Sequence, residues 1–189
     1  MNKFLIVLLL TGILAVSAQA NMLTNGDFNT GDLTGWWQNI PESENQSITV
    51  QDVVNYDGTY NAMFVSATDA DWMNLGQDFE VNPENLLTLS LVYNKESWAG
   101  VGINLKYWDA DWATLTEEWV TISGNDVEGT GEWIAFSQDI MTPADAAHLE
   151  VKIGAGGWGT VYMEDMSVEV PEPASLLLLG LGGLLLRRK

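Results

Sequence analysis

Two runs in this chain alternate strictly between apolar and polar positions. Leu87, Leu89, Leu91 and Tyr93 take every second place in one run, with Thr88 and Ser90 between them. Val101, Ile103, Leu105 and Tyr107 do the same in the other, against Gly102, Asn104, Lys106 and Trp108. A side-chain period of two belongs to a strand with one face buried. Further runs rich in β-branched and aromatic residues cover Ile48–Val54, Thr59–Ser66, Leu75–Val81, Glu132–Gln138, His148–Ile153 and Thr160–Val170, with Leu115–Ile122 as a weaker one. Turn residues separate them at Tyr56-Asp57-Gly58, Val81-Asn82-Pro83, Ser123-Gly124-Asn125 and Gly154–Gly159. No long 3.6-residue apolar period occurs between the two ends of the chain, and Pro143–Ala147 is the one segment suited to a helical turn. The expectation is an all-β sandwich or barrel of about eight or nine strands.

The two ends have a different character. Lys3, the apolar stretch Phe4–Val16 and the small-x-small Ala18-Gln19-Ala20 form a secretory signal peptide over residues 1–20, cleaved by signal peptidase after Ala20. At the other end, Ala174–Leu186 gives 13 uncharged residues, followed by Arg187, Arg188 and Lys189. As a helix this stretch reaches about 20 Å, short of a hydrocarbon core of roughly 30 Å. Pro171-Glu172-Pro173, then the apolar segment, then the basic cluster, resembles the PEP-CTERM sorting signal over residues 171–189. That resemblance implies transient inner-membrane anchoring through the C-terminal helix and processing by an exosortase-type membrane protease near the Pro-Glu-Pro. It also implies a Gram-negative host that makes extracellular polysaccharide, with the product at the cell surface or in the matrix. A plain tail anchor is the alternative.

The remaining body, residues 21–170, loses Lys3, Arg187, Arg188, Lys189 and Glu172 from the chain's 7 basic and 26 acidic residues, which leaves 3 and 25. Its net charge is therefore near −22, which makes it soluble and self-repelling. Such a body lacks the clustered Lys and Arg that nucleic acid requires. With no cysteine and one histidine, His148, disulfide scaffolds, thiolate sites and multi-histidine metal sites are excluded.

Asn21-Met22-Leu23-Thr24-Asn25-Gly26-Asp27-Phe28, followed by Gly35-Trp36, resembles the opening of carbohydrate-binding modules with the galactose-binding-like jelly-roll fold. Leu75-Gly76-Gln77, Val81-Asn82-Pro83 with Leu86–Val92, Glu132-Trp133 with Phe136-Ser137, and Val161–Val168 resemble later pieces of the same family in the same order. The resemblance implies a jelly-roll β-sandwich and makes extracellular polysaccharide the expected partner. It also implies one structural Ca²⁺ where the ends of the domain meet, with Asp27, Asn29, Glu164 and Asp165 as its oxygen donors. Asn29 stands where the family has Glu, and Glu164 where it has Asp. Surface carboxylates beside a turn fit the same residues.

Nine tryptophans carry the functional reading. Trp36 and Trp133 are expected to pack inside. Trp108, on the polar face with Asn104, and Trp98, Trp112 and Trp158 in turns are the candidate sugar platforms, because an indole face takes the C–H face of a sugar ring. Core packing competes for each. Asp69-Ala70-Asp71-Trp72 echoes Asp109-Ala110-Asp111-Trp112 and reads as a pair of solvated loops. No nucleophile motif surrounds His148, so the protein is expected to be non-catalytic. Two alternatives are a structural or adhesive matrix protein with no sugar site and, more distantly, a small glycosidase using paired carboxylates.

Overall fold

The computed structural model describes residues 21–41, 45–57, 60–67 and 71–171. They form ten strands: β1 (Trp37–Asn39), β2 (Gln46–Gln51), β3 (Asn61–Ser66), β4 (Met73–Glu80), β5 (Leu86–Ser97), β6 (Gly100–Trp108), β7 (Thr114–Ser123), β8 (Gly129–Met141), β9 (His148–Gly156) and β10 (Gly159–Glu169). All pairings are antiparallel, in two five-stranded sheets ordered β1-β4-β9-β6-β7 and β2-β3-β10-β5-β8. The sandwich expected from the alternation is what forms. The three-residue β1 is the strand that no apolar period announces. Pro143–Ala147 makes a single turn, closed by Ala146 N–H on the Pro143 carbonyl at 3.1 Å.

The core lies where the two alternating runs meet. Leu87, Leu89, Leu91 and Tyr93 of β5 face Val101, Ile103, Leu105 and Tyr107 of β6, and all eight are buried. Leu149, Val151 and Ile153 of β9 and Val161, Met163 and Val168 of β10 complete it. Burial, with the Glu118 charge adding to it, pushes the Tyr107 hydroxyl up to about 12. The outer faces of both sheets are thereby set by register alone.

The segment before β1 is fastened by side chains rather than by a strand ladder. Asn21 bridges the first and last segments: Oδ1 accepts from Val168 N–H at 3.0 Å and Nδ2 donates to the Met166 carbonyl at 2.7 Å. Gln77 clamps Thr24, accepting from its N–H at 2.9 Å and donating to its carbonyl at 2.6 Å. A Cβ on Gly26 would lie 2.1 Å from the Met166 oxygen, so only glycine fits there. Phe28, fully buried, stacks on Trp36 at 5.6 Å, and Trp36 donates its indole N–H to the Asn25 carbonyl. These contacts give the Asn-Gly-x-Phe opening its physical role. Among the described residues no helix is long and apolar enough to cross a membrane.

Candidate functional site: an aromatic and amide face on the first sheet

Residues directly opposite one another in antiparallel strands share a face, so register lists the side chains that meet on the outside of the first sheet. One row crosses all five strands: Trp37, Gly76, Lys152, Asn104 and Trp119. The next row reads Asn39, Asn74, Gly154, Gly102 and Thr121. With strands about 4.8 Å apart, the two end tryptophans stand about 19 Å from each other across the face.

The floor between them is built from missing side chains. A Cβ at Gly76 would lie 2.1 Å from the Trp37 ring, and a Cβ at Gly156 2.9 Å from the Trp72 ring. Gly100 and Gly102 would meet Trp72 at 3.2 and 3.3 Å. Both indoles therefore lie against bare backbone. Trp72 is 37% exposed and Trp119 is 60% exposed, their rings tilted at 59° with centroids 6.5 Å apart. Gln46 Nε2 donates to the Asp71 carbonyl at 2.7 Å and so steadies the approach to Trp72.

Polar groups sit between the rings. Lys152 lies 5.8 Å from the Trp37 ring centre and 2.8 Å from the Glu150 carboxylate. Asn104 is fully buried, its Nδ2 donating to Glu117 Oε1 at 3.0 Å. The amide oxygens of Asn104 and Asn74 are buried without a hydrogen-bond partner. A buried acceptor left unpaired costs about 1–3 kcal/mol, so each is an inducement to bind a donor.

The expected platforms divide. Trp108 points outward as its register requires, but it is half-buried, with Lys106 Nζ 5.2 Å from its ring centre and Trp112 beside it. Trp112 stacks on His148 at 3.9 Å and 13°. These residues form one edge of the same face, because His148 is opposite Trp108. Trp98 and Trp158, 42% and 49% exposed, sit in the adjoining β5–β6 and β9–β10 turns, joined by Trp98 N–H on the Trp158 carbonyl at 3.0 Å. Trp37, Trp72 and Trp119, the other tryptophans of this face, are not among the expected platforms. The Asp-x-Asp-Trp echo marked Trp72, but register and the glycine floor are visible only in three dimensions. Trp133, expected inside, faces out from the second sheet, because Ile134, Phe136 and Ile140 take the inner side of β8.

The carboxylates expected to hold metal come together in part. Oxygens of Asp57, Glu164 and Asp165 lie within 4.8 Å of one another. Glu164 is fully buried and accepts from Tyr56 N–H at 2.8 Å and Asp57 N–H at 3.4 Å. Asp165 has φ 51° where the β10 pairing shifts register. Burial, then the charges of Asp57 and Asp27, raise its pKa above the ordinary value. Asn29 instead donates its amide to Asp27 at 2.8 Å. Asp57 is the member that sequence reasoning did not find. This all-oxygen set suits a hard cation such as Ca²⁺. Ala20, Glu172 and Pro173 lie outside the described residues, and Pro171 follows directly on the end of β10.

Residues 169–189 match the PEP-CTERM protein-sorting motif. No curated protein matches the chain in sequence. Among solved structures, the fold is similar to a family 61 carbohydrate-binding module, TmCBM61, solved with β-1,4-galactotriose. The identity is 19% and the TM-score 0.59, over 79% of this chain and 97% of that one. The xylan-binding family 22 module of Paenibacillus barcinonensis Xyn10C gives 13% and 0.54 over 85% and 100%. The enzymatically active domain of bacteriophage CBA120 tailspike protein 4 gives 12% and 0.67 over 79% of this chain. The chain spans about a fifth of that tailspike domain (21%). The fold is therefore the jelly-roll sandwich of carbohydrate-binding modules, and the C-terminal motif marks an exported protein sorted to the cell envelope.

Proposed function

We propose that the outer face of the first sheet binds an extracellular polysaccharide without cleaving it, at the cell surface or in the matrix of a Gram-negative bacterium, after signal-peptidase cleavage and exosortase processing. One observation carries the reading: Trp72, seated on a glycine floor, and Trp119 are exposed side by side, next to two buried, unpartnered amide oxygens. Indole faces take the C–H faces of sugar rings, and the amides take hydroxyls. Asp78, Glu80, Glu117 and Glu150 on this face outnumber Lys106 and Lys152, so a neutral glycan is favoured over an anionic one. Glu150 is engaged by Lys152 and Glu117 by Asn104, which supports a holding rather than a hydrolytic role.

We further infer that Asp57, Glu164 and Asp165, with Asp27 alongside, hold a structural Ca²⁺. Three carboxylates gathered at a bulge between the domain's first and last segments support it. A glycan array of neutral and anionic polysaccharides, run with Ca²⁺ and with chelator, tests the reading. Binding confined to neutral chains is expected. Binding to none would favour a structural or adhesive matrix protein with no sugar site.

A further inference from the structure

The second sheet has its own outer row, and it is not bare. Register aligns Thr49, Met63, Tyr162, Asn94 and Trp133 across β2, β3, β10, β5 and β8. Trp133 lies 6.5 Å from Tyr162 and 5.9 Å from Tyr56, ring centre to ring centre. Tyr56 is 54% exposed and Trp133 is half-buried. Tyr56 is held at its backbone by the buried Glu164, so its ring is carried on a pinned turn.

Between Tyr162 and Trp133 in that row sits Asn94, 3% exposed. Its Nδ2 donates to the Gly131 carbonyl at 2.8 Å, which aims the amide toward the Trp133 strand. Its Oδ1 is buried and has no partner. An aromatic cluster that served packing alone would bury apolar neighbours. This one shares its row with an unsatisfied acceptor, on the sheet opposite the first site. Trp133 belongs to β8, an edge strand paired on one side only, whose register slips between Asn94 and Glu96. An edge strand gives its side chains room to tilt.

We propose that Tyr56, Trp133 and Tyr162, around Asn94, form a second saccharide platform that takes a neutral oligosaccharide. The rings of Tyr56 and Trp133 receive the sugar face, and a hydroxyl donates to Asn94 Oδ1 as the Trp133 indole tilts aside. Glu96, on the same face, adds negative charge, which disfavours an anionic sugar. The two platforms lie back to back on opposite sheets, so one strand of polysaccharide cannot lie on both. A copy of the protein then joins two chains, which suits a matrix role.

The platform stands on its own residues and shares only its chemistry with the first site, so the two are tested separately in one experiment. The full exported protein is made as wild type, Trp119→Ala and Tyr56→Ala. Each is titrated with β-1,4-galactotriose and with xylohexaose while indole N–H and Asn94 side-chain amide signals are followed by NMR. In Trp119→Ala the Trp133 and Asn94 signals should still move saturably at millimolar sugar, and Tyr56→Ala should weaken that movement at least about tenfold. A Trp133→Phe protein assigns the indole signal. Trp133 and Asn94 signals that stay still with both sugars overturn the proposal, whether or not Trp72 and Trp119 respond. So does a response that Tyr56→Ala leaves unchanged. Movement at Trp72 and Trp119 alone leaves the first site standing.

Discussion

Gly156 works through the side chain it lacks. A methyl group there would sit 2.9 Å from the Trp72 ring and push it off the sheet, whereas Trp119 rests on no such floor. Gly156→Ala should therefore lower glycan affinity at least about tenfold, ~1.4 kcal/mol, and cost about 1–3 kcal/mol of stability through overpacking. Unfolding curves beside binding isotherms check both. Asp165 makes a prediction about pH. Its carboxyl is raised by burial and by Asp57 and Asp27, so in metal-free protein the folded state binds this proton more tightly than the unfolded chain does. Its contribution to stability is present below the unfolded value near 3.8 and is lost as pH rises through the higher folded value. Chelator-treated wild type should accordingly lose more stability than Asp165→Asn as pH rises through that window, measured by denaturant unfolding. Matching profiles would contradict the assignment.

At the scale of elements, the hairpin ends decide how far the face extends. Lys95 is buried at the end of β5 and donates to the carbonyls of Gly124 at 2.9 Å and Val127 at 2.6 Å in the β7–β8 loop. Burial holds its ammonium below the usual lysine pKa, with Asp126 opposing. Asn125 of that loop approaches the Gly157 turn between Trp98 and Trp158. Lys95→Met should release the loop and cost about 1–3 kcal/mol, read by thermal unfolding, with faster amide exchange confined to 124–128. The alternating runs made β5, β6, β9 and β10 legible in the sequence, because burial on one face imposes a period of two. β1 was not legible: three residues carry no period. The site was legible only in pieces. Asn104 and Trp108 could be placed outward from the alternation of β6. Trp37 and Trp119 could not be joined, since they come from strands far apart in sequence and share a row only through register, and Trp72, just before β4, reaches Trp119 only in three dimensions. The inward expectation for Trp133 fails because membership of a strand does not by itself choose between the strand's two faces.

The whole molecule is a strongly acidic sandwich followed by the PEP-CTERM sorting motif. Two of the body's three lysines, Lys106 and Lys152, lie on the proposed glycan face, and the third is buried. Charge repulsion near −22 is what a bound divalent cation would relieve. Millimolar Ca²⁺ should raise the melting temperature of chelator-stripped protein by mass action, and Asp165→Ala should respond less. A curve that Ca²⁺ does not move would remove the metal. A chain ending at Val170, before the Pro-Glu-Pro, should be released from the cell envelope more freely than the full chain, whereas equal retention would separate the motif from sorting here. The central claim is the aromatic face, and Trp119 tests it most directly. It is 60% exposed and contributes little to the core, so Trp119→Ala should shift stability by no more than about 0.5 kcal/mol. Calorimetric titration of wild type and Trp119→Ala with the best neutral oligosaccharide from the array should show affinity falling at least about tenfold while the melting curve stays in place. Unchanged affinity in a folded Trp119→Ala protein would contradict the account.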